Sequence, residues 1–176
     1  MATYGHLFLK GEEPTLLVNY ENEYSLFKHS NKAFSSLPSF LSGFEELTKL
    51  DLDLSHAYYD NPINVNLPNL RELHIRTKNH PKLVASLINA CSTSLKSLKY
   101  EYGPIAMKTI ENVKSLECLE FSHECSLHSL DKDEICSHQN LKIIRGIKEF
   151  SGKEFVKLFD SCGSSLIELS ISDAMK

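Results

Sequence analysis

The sequence predicts an α/β fold built by stacking: parallel strands form a curved sheet on a concave side, helices or turns cover a convex side, and one core runs between them. Three observations lead there. First, a short phrase recurs: a leucine, a second apolar residue three positions on, and a third two positions later. It stands at Leu47, Leu50 and Leu52; at Leu70, Leu73 and Ile75; at Leu95, Leu98 and Tyr100; at Leu116, Leu119 and Phe121; and at Leu166, Leu169 and Ile171. A weaker copy has Leu141 and Ile144, with Gly146 in the last place. Second, these phrases start 23, 25, 21, 25 and 25 residues apart. Third, the stretches between several of them carry apolar residues at helical spacing.

The spelling has a physical reason. Alternation aims the last two apolar residues of each phrase at one side of a strand, and the leading leucine enters the same core from the preceding turn. One unit cannot bury those side chains alone, so units must stack and share an interior. About six units are expected over 47–176, with 1–46 an end cap or a degenerate earlier unit.

Taken in order, "HLFLKGEEPTLLVNY" predicts two short strands around a turn from Gly11 to Pro14, and "NKAFSSLPSFLSGF" a helix interrupted or ended near Pro38. "SHAYYDNPINVNLPNL" holds Asn61-Pro62 and no helical period, so it is an irregular connection. In "HPKLVASLINACS", Pro81 suits a helix start and Leu83, Val84, Leu87, Ile88 and Cys91 share one face. "GPIAMKTIENVK" and the polar "SLDKDEICSHQ" predict shorter helical or 3₁₀ turns. "SGKEFVKLFDSCG" predicts a helix opening at Ser151, closing at Gly163, and gathering Phe155, Val156, Leu158, Phe159 and Cys162 on one face.

Composition narrows the functional classes. A net charge of -4 and a pI near 6.1 provide no global basic field, so neither nucleic acid nor an anionic membrane is an expected partner. No apolar run approaches a membrane span, and the N-terminus lacks a basic head before an apolar stretch. The five cysteines form an odd set in a chain large enough to fold without staples, which predicts reduced thiols in a cytoplasmic or nuclear protein.

The strand phrases, with Cys91 and Cys162 each four residues before a leading leucine, resemble the cysteine-containing leucine-rich repeats of F-box/leucine-rich-repeat proteins. The resemblance covers Leu47 to Lys176. It implies a curved leucine-rich-repeat solenoid that presents a substrate-binding face, in proteins that deliver targets to a cullin-type ubiquitin ligase. The residues before Leu47 are too few and too poorly matched to supply the three-helix F-box. A cullin-ligase adaptor therefore enters as a partner only if that module lies elsewhere in the parent chain. The ending "SISDAMK" follows a strand with no polar terminal helix, so a truncation or a covering partner is expected there.

Residues alternating with the core leucines are predicted to line the concave face: Lys49, Asp51 and Asp53; Glu72, His74 and Arg76; Ser97, Lys99 and Glu101; Cys118, Glu120 and Ser122; Ile143, Arg145 and Ile147; Glu168, Ser170 and Ser172. Asp51 and Asp53 make an acidic end beside a basic step of His74, Arg76 and Lys99, with Arg145 further along beside two aliphatic residues. The binding residues proposed from sequence are Asp51, Asp53, His74, Arg76, Lys99, Glu101, Glu120 and Arg145. Such a strip suits a protein partner.

Sharper chemistry finds little support. Cys118, His123, Cys125, His128, Cys136 and His138 are side chains zinc prefers, but their spacing matches no common finger or ribbon, and the frame scatters them. Core thiols and surface imidazoles are expected instead, and a zinc-binding sensor is the remote alternative. No G-x-S-x-G elbow, protease cysteine context or phosphate loop occurs, so neither catalysis nor a cofactor is expected. Arg76, Lys78, His80, Lys82 and Lys96 make a local basic cluster, read as solvated surface. The remaining alternative is a free-standing scaffold, or an effector that binds a host or regulatory protein.

Overall fold

The computed structural model describes residues 9–10, 13–19, 37–43, 46–54, 60–128, 138–147, 156, 159–160 and 162–171. In all six copies a strand begins two residues after the leading leucine: β3 (Lys49–Asp53), β4 (Glu72–Arg76), β5 (Ser97–Ala106), β6 (Cys118–His128), β7 (Ile143–Ile147) and β8 (Glu168–Ile171). Ahead of them lie β1 (Leu9–Lys10) and β2 (Glu13–Asn19), which pair antiparallel. Every pairing from β2 to β8 is parallel, the spatial order follows the chain order, and the sheet is open. Three α-helices have described ranges, α1 (Leu37–Ser42), α2 (Pro81–Ala90) and α3 (Met107–Glu111), and Val156, Phe159, Asp160 and Cys162 are helical as well.

The strands are in phase with the sequence phrase. Leu50, Leu73, Leu98, Leu119, Ile144 and Leu169 form one row across the sheet, and Leu52, Ile75, Tyr100 and Phe121 another. The leading leucines from Leu47 to Leu141 are buried with them, as are the inward residues of α2, Leu83, Val84, Leu87 and Ile88. All but Leu169 belong to one apolar cluster, so in the units that lie between two others these side chains are removed from water by their neighbours. The thiols of Cys91, Cys125 and Cys162 lie in this core, and burial pushes the Cys91 thiol up to about 12.

Backbone and side chains repeat the same contact from unit to unit. The carbonyl of the residue after each leading leucine accepts two amides from the next unit. Thr48 takes those of Arg71 and Glu72, Arg71 those of Lys96 and Ser97, Lys96 those of Glu117 and Cys118, Glu117 those of Lys142 and Ile143, and Lys142 those of Ile167 and Glu168. The residue before the leading leucine adds a side-chain rung: Ser94 Oγ donates to Leu70 O at 2.8 Å, Ser115 Oγ to Leu95 O at 2.8 Å, Ser165 Oγ to Leu141 O at 2.9 Å, and Asn140 Nδ2 to Lys114 O at 2.8 Å. These rungs satisfy carbonyls in the turns, where no ladder bond reaches them.

Several local expectations change. Pro38 lies in the first turn of α1, where its missing N–H costs nothing, and the residues just before Leu37, where a helix is expected to be interrupted or ended, lie outside the described residues. The irregular connection holds over 60–67, where Asp60 Oδ1 accepts the amides of Lys82 and Leu83 at 2.9 and 3.2 Å. His80 makes no side-chain cap at α2, so this distant carboxylate supplies it. Ser86 Oγ takes the amide of Ile63 at 2.9 Å, tying the same connection to α2. Helix α3 forms as expected, but Gly103 to Ala106 belong to β5. Val156, Phe159 and Cys162 are helical as expected, and at Gly163 the helix gives way to a 3₁₀ turn; of that predicted face Cys162 is buried, while Val156 and Phe159 are 54% and 46% exposed. The "SLDKDEICSHQ" turn falls mostly outside the described residues, as does the N-cap predicted at Ser151.

Gly146 is the extra residue of a bulge. Its φ is +77°, and a Cβ there would come within 1.6 Å of Phe121 O, so only glycine fits. The bulge shifts register between Ile144 and Ile147 and sets Ile147 opposite Ile171. By backbone register Ile147 therefore joins the row of Ile171. Gly103, at φ +91°, lies at a second shift, between β5 and β6, where the extra residue is on β6.

Candidate functional site

Between the core rows, the alternating residues share the opposite face of the sheet. Asp51, His74, Lys99, Glu120 and Arg145 are cross-strand neighbours in one row, and Asp53, Arg76, Glu101 and Ser122 in the next. The structure thus brings together the eight residues chosen from sequence by register, on adjacent strands. For Asp53 the backbone position alone is described.

These charges neutralise one another. His74 is held between two carboxylates, Nδ1 at 3.1 Å from Asp51 Oδ2 and Nε2 at 2.8 Å from Glu101 Oε1. A carboxylate only accepts, so both contacts are made together when both ring nitrogens carry hydrogen. Arg76 donates to Asp51 at 3.2 Å and lies 3.4 Å from Glu101, while Lys99 bridges Glu101 at 3.4 Å and Glu120 at 3.2 Å. Further along, Arg145 contacts Glu120 at 3.9 Å and grips Glu168 through two nitrogens at 2.7 and 3.0 Å. The expected acidic end and basic step are therefore one alternating chain from Asp51 to Glu168.

Titration follows this pairing. Burial alone would raise Asp51, but hydrogen bonding to His74 and the charges of His74 and Arg76 bring its carboxyl below the usual value. Glu101, 7% exposed, is likewise raised by burial and lowered further by His74 and Lys99. Burial would lower Lys99, yet Glu120 and Glu101 raise it. At the other end, Arg145 holds the Glu168 carboxyl low. Cys118 lies in the middle of this face, half-buried, its thiol raised mainly by loss of water.

A second charged row, not foreseen in the sequence, runs along the start of the strands. Glu117 receives Lys96 Nζ at 2.7 Å and Lys142 Nζ at 2.9 Å, and these hydrogen bonds hold its carboxyl down to about 2. The signal was available, since Lys96, Glu117 and Lys142 all follow a leading leucine and alternate in sign. Of the predicted basic cluster, Arg76 and Lys96 are thus engaged with carboxylates. His80 is buried with its Nδ1 2.5 Å from Thr77 Oγ1, and Lys78 and Lys82 are exposed.

The cysteine and histidine segment does not gather. Cys118 is on the charged face, Cys125 is in the core donating to Tyr100 O at 3.1 Å, and Cys136 lies outside the described residues. His123 lies within β6, which runs on to His128. His138 is 1% exposed, against the expectation of a surface imidazole. Among the described residues no group of three or more His, Cys, Asp or Glu is placed to hold a metal ion, and no helix is long and apolar enough to cross a membrane.

No family model, no curated protein and no solved structure matches this chain.

Proposed function

We propose that the chain is a leucine-rich-repeat solenoid acting as a non-enzymatic protein-binding module in the cytoplasm or nucleus, of the kind that recognises substrates for an F-box-type ubiquitin ligase. One observation carries the reading: six phrases of one spelling stack in register and set their variable positions in rows on a single face. In such a stack the apolar positions maintain the scaffold while the alternating positions are free to differ, which is how a repeated frame becomes a recognition surface.

The internal pairing refines what the face recognises. A partner gains little from a lone opposite charge, because each cation it approaches is already matched. It must offer a pattern that substitutes for a pair, as bidentate partners do for Arg145 and Glu168. The ligase role further requires an adaptor-binding module to be joined to these strands.

The test is affinity capture with three forms of the chain: unaltered, Lys99→Glu with Arg145→Glu on the face, and Lys108→Glu with Lys114→Glu away from it. All are first shown to melt alike. Partners kept by the unaltered and off-face forms and lost by the face variant support the reading. Retention by all three overturns it.

A further inference from the structure

In three units the leading leucine closes the same tight turn onto the residue three before it: Leu70 N to Leu67 O at 3.2 Å, Leu116 N to Val113 O at 3.2 Å, and Leu141 N to His138 O at 3.1 Å. Leu67, Val113 and His138 therefore occupy one structural slot, and they are 1%, 0% and 1% exposed. Two of the three are what a core slot favours. The third is an imidazole whose Nδ1 and Nε2 are both buried and, among the described residues, have no hydrogen-bond partner. A neutral ring tolerates this position at a cost, whereas a charged one loses water and gains no acceptor among the described residues.

We propose that His138 is an acid-sensitive joint: its protonation expels the ring from the slot and uncouples β7 from β6, leaving the earlier strands stacked. Among the described residues the charged groups acting on the ring are Lys114, in the turn after α3, and Glu111, at the end of α3. Burial lowers the imidazole most, Lys114 lowers it further and Glu111 offsets part, giving a value of about 4 against the ordinary 6.5. The sign follows. Between those values the released ring binds a proton that the seated ring refuses, so closure weakens as pH falls from 6.5 towards 4 and changes no further below it.

The joint has its own reporters. The amides of Lys142 and Ile143 cross it to Glu117 O, while those of Glu117 and Cys118 cross the preceding joint to Lys96 O. Hydrogen exchange, corrected for intrinsic rates, is measured on both pairs at pH 7 and pH 5. Opening at Lys142 and Ile143 should rise roughly 20-fold, the ratio set by the two protonation constants, with Glu117 and Cys118 rising much less. His138→Leu, which copies Leu67, should abolish the difference. An equal rise at both joints, or a rise that persists in His138→Leu, overturns the proposal. An NMR titration of the His138 ring in the unaltered protein decides the matter even if the variant folds poorly, since a midpoint between about 6 and 7 contradicts a ring seated in that slot.

Discussion

Leu98 and Leu169 stand in the same row of the sheet and hold the same place in their phrases, yet Leu98 is 0% exposed and Leu169 37%. The contrast extends to their surroundings. Lys96 is tied to Glu117, while Ile167, its counterpart in the last phrase, is 81% exposed, and Val156 and Phe159 are open nearby in the sequence. Strand β5 has β4 on one side and β6 on the other. Strand β8 is paired, among the described residues, with β7 alone. Burial is thus not a property of the phrase but of having a neighbour on each side, and the same side chain is worth different amounts at different places in the stack.

The largest expected effect breaks the comparison at the strand joining its two halves. Gly146→Ala puts a Cβ against Phe121 O in β6 at a positive φ, so β7 must move and β8 with it; a loss of about 4 kcal/mol is expected in urea melts. A loss under about 1 kcal/mol would mean that the β6–β7 pairing is looser than described. Next, Leu98→Ala should cost about 2–5 kcal/mol by opening a cavity, and Leu169→Ala only about 1 kcal/mol, because much of that side chain is already in water. Equal losses in the two melts would contradict the explanation by neighbours.

The last comparison, which ends on the smallest effect, sets two carboxylates side by side. Removing Glu101 leaves His74 and Lys99 without their shared acceptor, and Glu101→Ala should cost about 1–3 kcal/mol at pH 7. Glu168→Ala breaks a well-formed but solvent-exposed pair and should shift the melt less. The folded value of Glu101 is depressed, so its contribution is present above about pH 4 and fades as pH falls through the folded value. The melting difference between wild type and Glu101→Ala should therefore shrink in acid, in a window below the one predicted for His138.

Much of this arrangement was legible in the sequence. Once the leucines were aligned, the register of Asp51 beside His74 and of Lys99 beside Glu120 followed from counting along the strands. The reciprocal pairing did not follow, since diagonal contacts such as His74 with Glu101 depend on side-chain reach and not on row number. The glycine in the weak phrase was visible at 146, but a bulge is decided by which residue can take a positive φ beside Phe121 O, a tertiary fact. The same holds for Asp60, whose role at α2 is set by how the irregular connection passes the helix. His138 misled because a polar residue in a polar stretch reads as surface, and only its three-residue offset from Leu141, shared with Leu67 and Val113, marks it as core.

The paired amides that converge on one carbonyl per unit give the stack a direction, since each unit donates backward and accepts from the one ahead. A whole period can be inserted or removed without disturbing that grammar, while a change of one residue inside a phrase misplaces two donors at once. Such a molecule lengthens in quanta. Pulled from its β8 end, it should surrender its strands in the reverse of their order along the chain, each step releasing one period of roughly two dozen residues.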